Sequence, residues 1–203
     1  MVEVSDRFYL KPLLRSVALP QHAFVLALSE NGARLVEVYA DLPPSEVRVP
    51  GLPDSAADAA GRASLNNLTQ GTRTANAEGK KKLLLEYARK VDAALRPVLA
   101  GRETPLILAA TDPLAPMFRS VNSYPALLAE GLPTSPDRMS KIALATAVRS
   151  VLDGHYAAQI EAARGLYHER AGQRRATSEL NDIARAATFG AVDLLLVDID
   201  EVV

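Results

Sequence analysis

The residues of this chain best suited to do chemistry are cations. Between positions 62 and 90 stand Arg62, Arg73, Lys80, Lys81, Lys82, Arg89 and Lys90, against only Glu78 and Glu86, a local charge of +5. The whole 203-residue chain carries −1. A contact to nucleic acid would therefore have to come from this cluster and not from global charge. Clustered Lys and Arg neutralise phosphates, and binding of that kind weakens as salt is added. The competing reading is a solvated helix face. Lysines at a helix start oppose the macrodipole, which favours a task for them.

Other chemistries find less support. Asp193, Asp198, Asp200 and Glu201 crowd the last residues. Carboxylates near a strand end can hold Mg²⁺, but such sites usually recruit a substrate phosphate too, and we read these four as hydrating an exposed end. Nuclease work of the two-metal kind needs several converging carboxylates. The 22–40 segment and its border offer only Glu30, Glu37 and Asp41. His22, His155 and His168 are far apart in the chain. His155 falls in an apolar stripe and is expected to be a satisfied core residue, and His168 is expected at the surface. No Gly-x-Ser-x-Gly elbow, phosphate-binding loop or dinucleotide fingerprint is present. No metal and no cofactor are expected.

The elements that must position the cations follow from periodicity. Residues 7–18 have helix-like spacing, broken by Pro12. Two apolar runs, His22–Ser29 and Ala33–Tyr39, flank Asn31-Gly32, whose tolerance of positive φ makes it a strong hairpin signal. Pro43, Pro44, Pro50 and Pro53 make 41–55 a loop or sheet edge. Residues 56–79 show no period and read as a long exposed loop, a kind that is usually functional or disordered. The stripe Leu83, Leu84, Tyr87, Val91, Ala94, Leu95 and Val98 predicts a helix over 80–99. Pro105–Ala110 is a continuous apolar run, as in a strand buried on both faces. Asp112-Pro113 and Ser135-Pro136 carry helix-start signals, the first helix ending near Val121 and the second near Ala171. The long helix is expected to bury Leu144, Val148, Val151, His155, Ala158, Ala162 and Leu166, with Gly154 and Gly165 as weak points, and to bridge two domains. A last helix, capped by Thr177 or Ser178 and stopped by Gly190, leads into a buried Leu194–Val197 strand. Because a parallel-type strand needs neighbours, the chain is expected to be truncated there or to end in two unequal pieces.

Composition agrees with a globular chain. Apolar residues make up 48% and charged residues 23%. No apolar run has the ~18 residues of a membrane span. The acidic start Met1-Val2-Glu3-Val4-Ser5-Asp6 is unlike a secretory signal. The absence of cysteine excludes disulfides and thiolate metal sites and fits a reducing cytoplasm. With no Trp and ten Phe and Tyr together, a base-stacking platform is not expected.

Three blocks, in order, carry a resemblance. They are Phe24-Val25-Leu26-Ala27-Leu28-Ser29-Glu30-Asn31-Gly32-Ala33-Arg34-Leu35; then Lys80-Lys81-Lys82, Tyr87, Arg89-Lys90-Val91 and Pro105-Leu106-Ile107-Leu108-Ala109; then the segment Gln173–Asp198 with Phe189-Gly190-Ala191-Val192-Asp193. Together they resemble the middle domain and the start of the third domain of class-1 peptide release factors and Pelota-like proteins. The nearest likeness is to the bacterial archaeo-eukaryotic release-factor-like group, which Phe8-Tyr9-Leu10-Lys11-Pro12-Leu13-Leu14-Arg15 also resembles. The resemblance implies an α/β fold: a ribonuclease-H-like middle domain over 1–133, then over 134–203 a long helix and the start of a second α/β domain. It implies a cytoplasmic, translation-associated protein that binds the ribosome or tRNA, with no membrane or DNA partner. A protein partner could use the long helix or the C-terminal strand. In release factors a Gly-Gly-Gln loop precedes the basic helix and positions the hydrolytic water. That triplet is absent, and Gln70-Gly71 stands in its region in reverse order. Peptidyl-tRNA hydrolysis is therefore not carried over and no catalytic residue is assigned. The candidate RNA-contacting residues are Gln70, Gly71, Arg73, Lys80, Lys81, Lys82, Arg89 and Lys90. The alternative is an interaction module that keeps the fold without binding RNA.

Overall fold

The computed structural model describes residues 21–40, 42–61 and 73–197, the first five of the last range by backbone alone. It is an α/β structure with a four-stranded sheet. In chain order the described elements are β1 (Ala23–Leu28), β2 (Ala33–Val38), β3 (Ser45–Val47), α1 (Ala56–Ala59), α2 (Arg73–Leu99), β4 (Leu106–Ala109), α3 (Leu114–Val121), α4 (Lys141–Gly172) and α5 (Leu180–Thr188). The chain divides into two compact units, and the division falls between Asp153 and Gly154, inside α4.

In the first unit, residues 21–153, the strand order is β3-β2-β1-β4. β1 runs antiparallel to β2, with Val25 opposite Val36, and parallel to β4, with Val25 opposite Ile107. A central strand flanked on both sides has no polar face, which is why all six residues of β1 are buried. Phe24, Leu26, Leu28, Leu35, Leu106 and Leu108 share one core cluster with Leu84, Tyr87, Val91, Leu95 and Leu99 of α2 and Phe118 of α3. The alternate residues Val25, Ala27, Ile107 and Ala109 are equally inaccessible, so β4 is buried on both faces as its sequence predicts.

The segment after α3 closes the outer edge of β4. Leu106 and Ala110 donate to the carbonyls of Ala126 and Leu132, and Leu128 and Leu132 donate back to Leu106 and Leu108. Gly131 is required for this approach, because a Cβ there would lie 2.4 Å from the Leu108 carbonyl oxygen.

The hairpin forms as expected, but by different turn chemistry. Neither Asn31 nor Gly32 adopts positive φ. Instead the Ser29 hydroxyl accepts from the amides of Asn31 and Gly32, both at 3.1 Å, while the Ser29 amide donates to the Gly32 carbonyl. Asn31 Nδ2 meanwhile donates to Asp137 at 2.9 Å. Over the described residues 42–55 the loop-or-edge reading holds, with β3 as a short edge strand on β2.

Four boundaries differ from the sequence reading. Residues 56–79 are not one exposed loop: α1 is capped by Ser55, its Ala56 and Ala59 are buried, and α2 already begins at Arg73. The Thr74–Gly79 stretch has almost no apolar side chain, so periodicity could not reveal a helix that extends cheaply from a packed one. The 114–121 helix takes no side-chain cap from Asp112; Thr111's carbonyl accepts from Leu114 and Ala115. The long helix opens at Ser140, whose hydroxyl accepts from Ala143, and not at Ser135-Pro136. Residues 135–139 are held instead against the hairpin, where Arg34 donates to the carbonyls of Pro136 and Met139. The buried stripe of α4 is Leu144, Val148, Leu152 and Tyr156. His155 is only half-buried and meets Gln159 at 3.0 Å, so it is not a core residue, and Ala158 and Ala162 are exposed.

In the second unit α4 continues through Gly154 and Gly165 and ends at Gly172, with Arg174 in the left-handed region. The last described helix, α5, starts after Glu179 with no side-chain cap, not from a Thr177 or Ser178 cap; Thr177 Oγ1 accepts from the Glu179 amide instead. Gly190, at φ +65°, stops it as expected. The Leu194–Val197 run forms no strand, and its four side chains are about half exposed. With no strand beside it in the described residues, its apolar pattern has no ladder to join.

Candidate nucleic-acid interface

The interface is built on α2. Its buried face carries Leu84, Tyr87, Ala88, Val91, Leu95 and Leu99, at the three- and four-residue steps that keep side chains in line. Everything opposite must face solvent. Lys80, Lys81, Lys82, Arg89 and Lys90 are all exposed. The side chain of Arg73 and all of Gln70, Gly71 and Arg62 lie outside the described residues, as do residues 7–18 and Asp198, Asp200 and Glu201.

The cations are not equivalent. Lys80 Nζ lies 3.0 Å from Glu30 Oε1 at the hairpin turn. Lys90 Nζ donates to the Ala59 carbonyl at 2.6 Å and ties α1 to α2. Both ammonium groups are thereby partly occupied. Lys81, Lys82 and Arg89 form no ion pair or hydrogen bond among the described residues. Because α2 begins at Arg73, the lysine triplet sits two turns inside the helix. The macrodipole acts over the first turn only, so it gives no argument about these lysines.

Sequence reasoning missed the pattern that continues the patch. Lys82, Arg89 and Arg96 are seven residues apart, a spacing that drifts only ~20° per step around a helix. They form an outward ridge with cations about 10 Å apart along the axis. The signal was available in the sequence, but only once the face opposite the core was known. Glu86, one turn from Lys82 and Lys90, is the ridge's acidic interruption.

Arg96 is positioned by Asp92, a buried carboxylate at 3% exposure. Asp92 accepts from Arg96 Nε at 3.0 Å and Nη2 at 2.7 Å. It also accepts from the Ser123 amide at 2.8 Å and the Ser123 hydroxyl at 2.9 Å. One carboxylate thus fastens α2 to the segment following α3. Beside it opens a cavity of about 410 Å³, lined by Leu95, Leu99, Arg102, Glu103 and Tyr124 among others.

At the other end, two groups have shifted ionisation. The Asp137 carboxyl is held below its ordinary range by hydrogen bonding from Ser29, then Asn31 and Ser135, and by the charge of Arg138. Burial pushes the Tyr87 phenol well above its ordinary value, and the Asp137 charge adds to this. The Tyr87 hydroxyl has no hydrogen-bond partner among the described residues. No cluster of metal-ligating side chains occurs among the described residues, and none of their helices is long and apolar enough to cross a membrane.

Residues 21–153 thus form an α/β domain that presents a cationic helix ridge and contains a parallel strand pair. Residues 20–158 match the family model of bacterial archaeo-eukaryotic release factor family 11, and the chain belongs to that family. It is release-factor-like and translation-related on that basis. No curated protein matches the chain. The matched range ends before the Gln173–Asp198 segment, so the likeness of that segment to a third domain rests on its own residues.

Proposed function

We propose that this protein binds ribosomal RNA or tRNA through the outward face of α2, with Lys81, Lys82 and Arg89 as the principal phosphate contacts. The observation that carries this reading is their free, exposed charge on a helix whose opposite face is locked into the core. Membership of a release-factor-like family supplies the translational setting. Lys80 and Lys90 contribute less, because Glu30 and the Ala59 carbonyl compete for them. Arg73, Gln70 and Gly71 belong to the same proposed surface by sequence position. The setting is the cytoplasm. Peptidyl-tRNA hydrolysis forms no part of the proposal, since no Gly-Gly-Gln triplet occurs in the chain.

The test is co-sedimentation with 70S ribosomes over a salt series, comparing wild type with Lys81→Glu/Lys82→Glu/Arg89→Glu. Salt-sensitive binding that disappears in the folded variant supports the reading. Absence of wild-type binding at low salt contradicts it. A second reading, a protein-interaction module, draws on the exposed Leu180 and Phe189 (78% and 79% accessible) and the uncovered Leu194–Val197 run.

A further inference from the structure

We infer that the cavity at the C-terminal end of α2 seats one unstacked nucleotide of an RNA strand running along the Lys82–Arg89–Arg96 ridge. This rests on the RNA-binding reading above and extends it to a site that the lysine patch does not contain. The cavity's volume of about 410 Å³ is within the ~300–1,000 Å³ typical of small-ligand sites. Leu95 and Leu99 contribute apolar atoms to its lining. Tyr124 contributes an aromatic wall, its hydroxyl anchored 2.6 Å from the Thr104 carbonyl, which fixes the ring. A nucleobase needs such a slot, apolar and aromatic, when it leaves its stack.

Two guanidinium groups border the slot, and both are oriented by the protein before any ligand arrives. Arg96 uses Nε on Asp92 and Ser123 and Nη2 on Asp92, and its Nη1 makes no hydrogen bond among the described residues. Arg102 uses Nε on the Val98 carbonyl at 3.1 Å and lies 5.4 Å from the centre of the Phe24 ring, and neither Nη group makes a hydrogen bond among the described residues. Pre-oriented arginines suit a phosphate's paired oxygens. The charge of Asp92 is offset by its ion pair with Arg96, so Arg102 carries most of the attraction for the phosphate. Glu103 is the remaining acid of the lining. As an acceptor-only group it discourages a bare anion but favours a base whose edge carries several N–H donors. Guanine offers such an edge through N1–H and its amino group; uracil offers a single donor. The slot therefore takes a guanine nucleotide in preference to a uridine nucleotide.

The experiment titrates the full chain with GMP, UMP and guanosine, read by ¹H–¹⁵N shifts of Ser123, Tyr124 and the Arg102 side chain. Expected are saturable shifts with GMP, weaker binding of UMP, and still weaker binding of guanosine, which lacks the phosphate. Arg102→Gln should weaken GMP on the order of tenfold. Arg102→Lys, which keeps the charge but not the paired donors, should fall between wild type and Arg102→Gln. Unchanged ¹H–¹⁵N shifts away from the slot show that each variant is folded, and Glu103→Gln should erase the preference for GMP over UMP. No shift with GMP in a protein that does bind ribosomes overturns this inference and leaves the lysine patch standing. GMP binding without ribosome binding overturns the assignment of the cavity to an RNA strand.

Discussion

Asp92 is the residue whose removal should be felt most sharply in the interface. Its carboxylate is buried, yet its ion-pair partner Arg96 is 63% exposed. In Asp92→Ala the guanidinium returns to water, so the pair itself contributes at most about 1 kcal/mol. The larger loss is at Ser123, whose amide and hydroxyl both donate to Asp92. Hydrogen bonds to a charged acceptor contribute about 1.5–3 kcal/mol, and a partly buried amide left unsatisfied costs a further fraction of that. Together these predict a destabilisation of about 2–5 kcal/mol, or a fall in Tm of roughly 4–20 °C for a chain of this size. Asp92→Asn keeps an acceptor for Ser123 and should cost about half as much. Thermal and urea unfolding of Asp92→Ala, Asp92→Asn, Ser123→Ala and Asp92→Ala/Ser123→Ala would measure this. A coupling near 1 kcal/mol between the two positions is expected. An Asp92→Ala cost under about 0.5 kcal/mol would refute the idea that this carboxylate clamps α2 to the segment after α3.

Other consequences follow from single contacts. Gly131→Ala must push a Cβ against the Leu108 carbonyl and should destabilise by about 1–3 kcal/mol in urea unfolding. Tyr87→Phe deletes a buried hydroxyl that has no partner among the described residues, so stability should be unchanged or rise by up to about 1 kcal/mol; a loss above that would mean the hydroxyl is bonded in solution. Asp137 has a folded pKa below its ordinary 3.8, so its stabilising contribution is fully present well above that ordinary value and is lost as pH falls through the folded value. The Tm difference between wild type and Asp137→Asn should accordingly be constant near neutrality and narrow as the pH is lowered into the acid range.

How much of this was legible beforehand depends on what each element uses to specify itself. β1, β2, β4 and the apolar stripe of α2 are written in hydrophobic pattern, and they stand where the pattern puts them. The hairpin was legible as an Asn-Gly signal, yet its turn is set by the Ser29 hydroxyl and by Asn31's reach to Asp137, a contact 106 positions away in sequence. The start of α2 carries almost no pattern, and Ser135-Pro136 carries a cap signal that the docking of 135–139 on Arg34 overrides. The C-terminal Leu-Leu-Leu-Val run had strand composition but no partner strand among the described residues. At the candidate site the cations were visible from local charge. Their inequality was not, because Glu30 and Ala59 reach Lys80 and Lys90 only through the fold. Arg96 and Arg102 were passed over because a single charge on a helix has no meaning until its buried neighbour is known.

The most direct measurement is the salt dependence of binding to a single-stranded ribosomal RNA fragment by wild type and by Lys82→Gln/Arg89→Gln. Each lost phosphate contact should lower the slope of log K against log salt by about 0.7. Weaker binding and a slope smaller by about 1.4, with unfolding unchanged, are expected of the variant. An identical affinity and slope in the two proteins would contradict the assignment of phosphate contacts to Lys82 and Arg89.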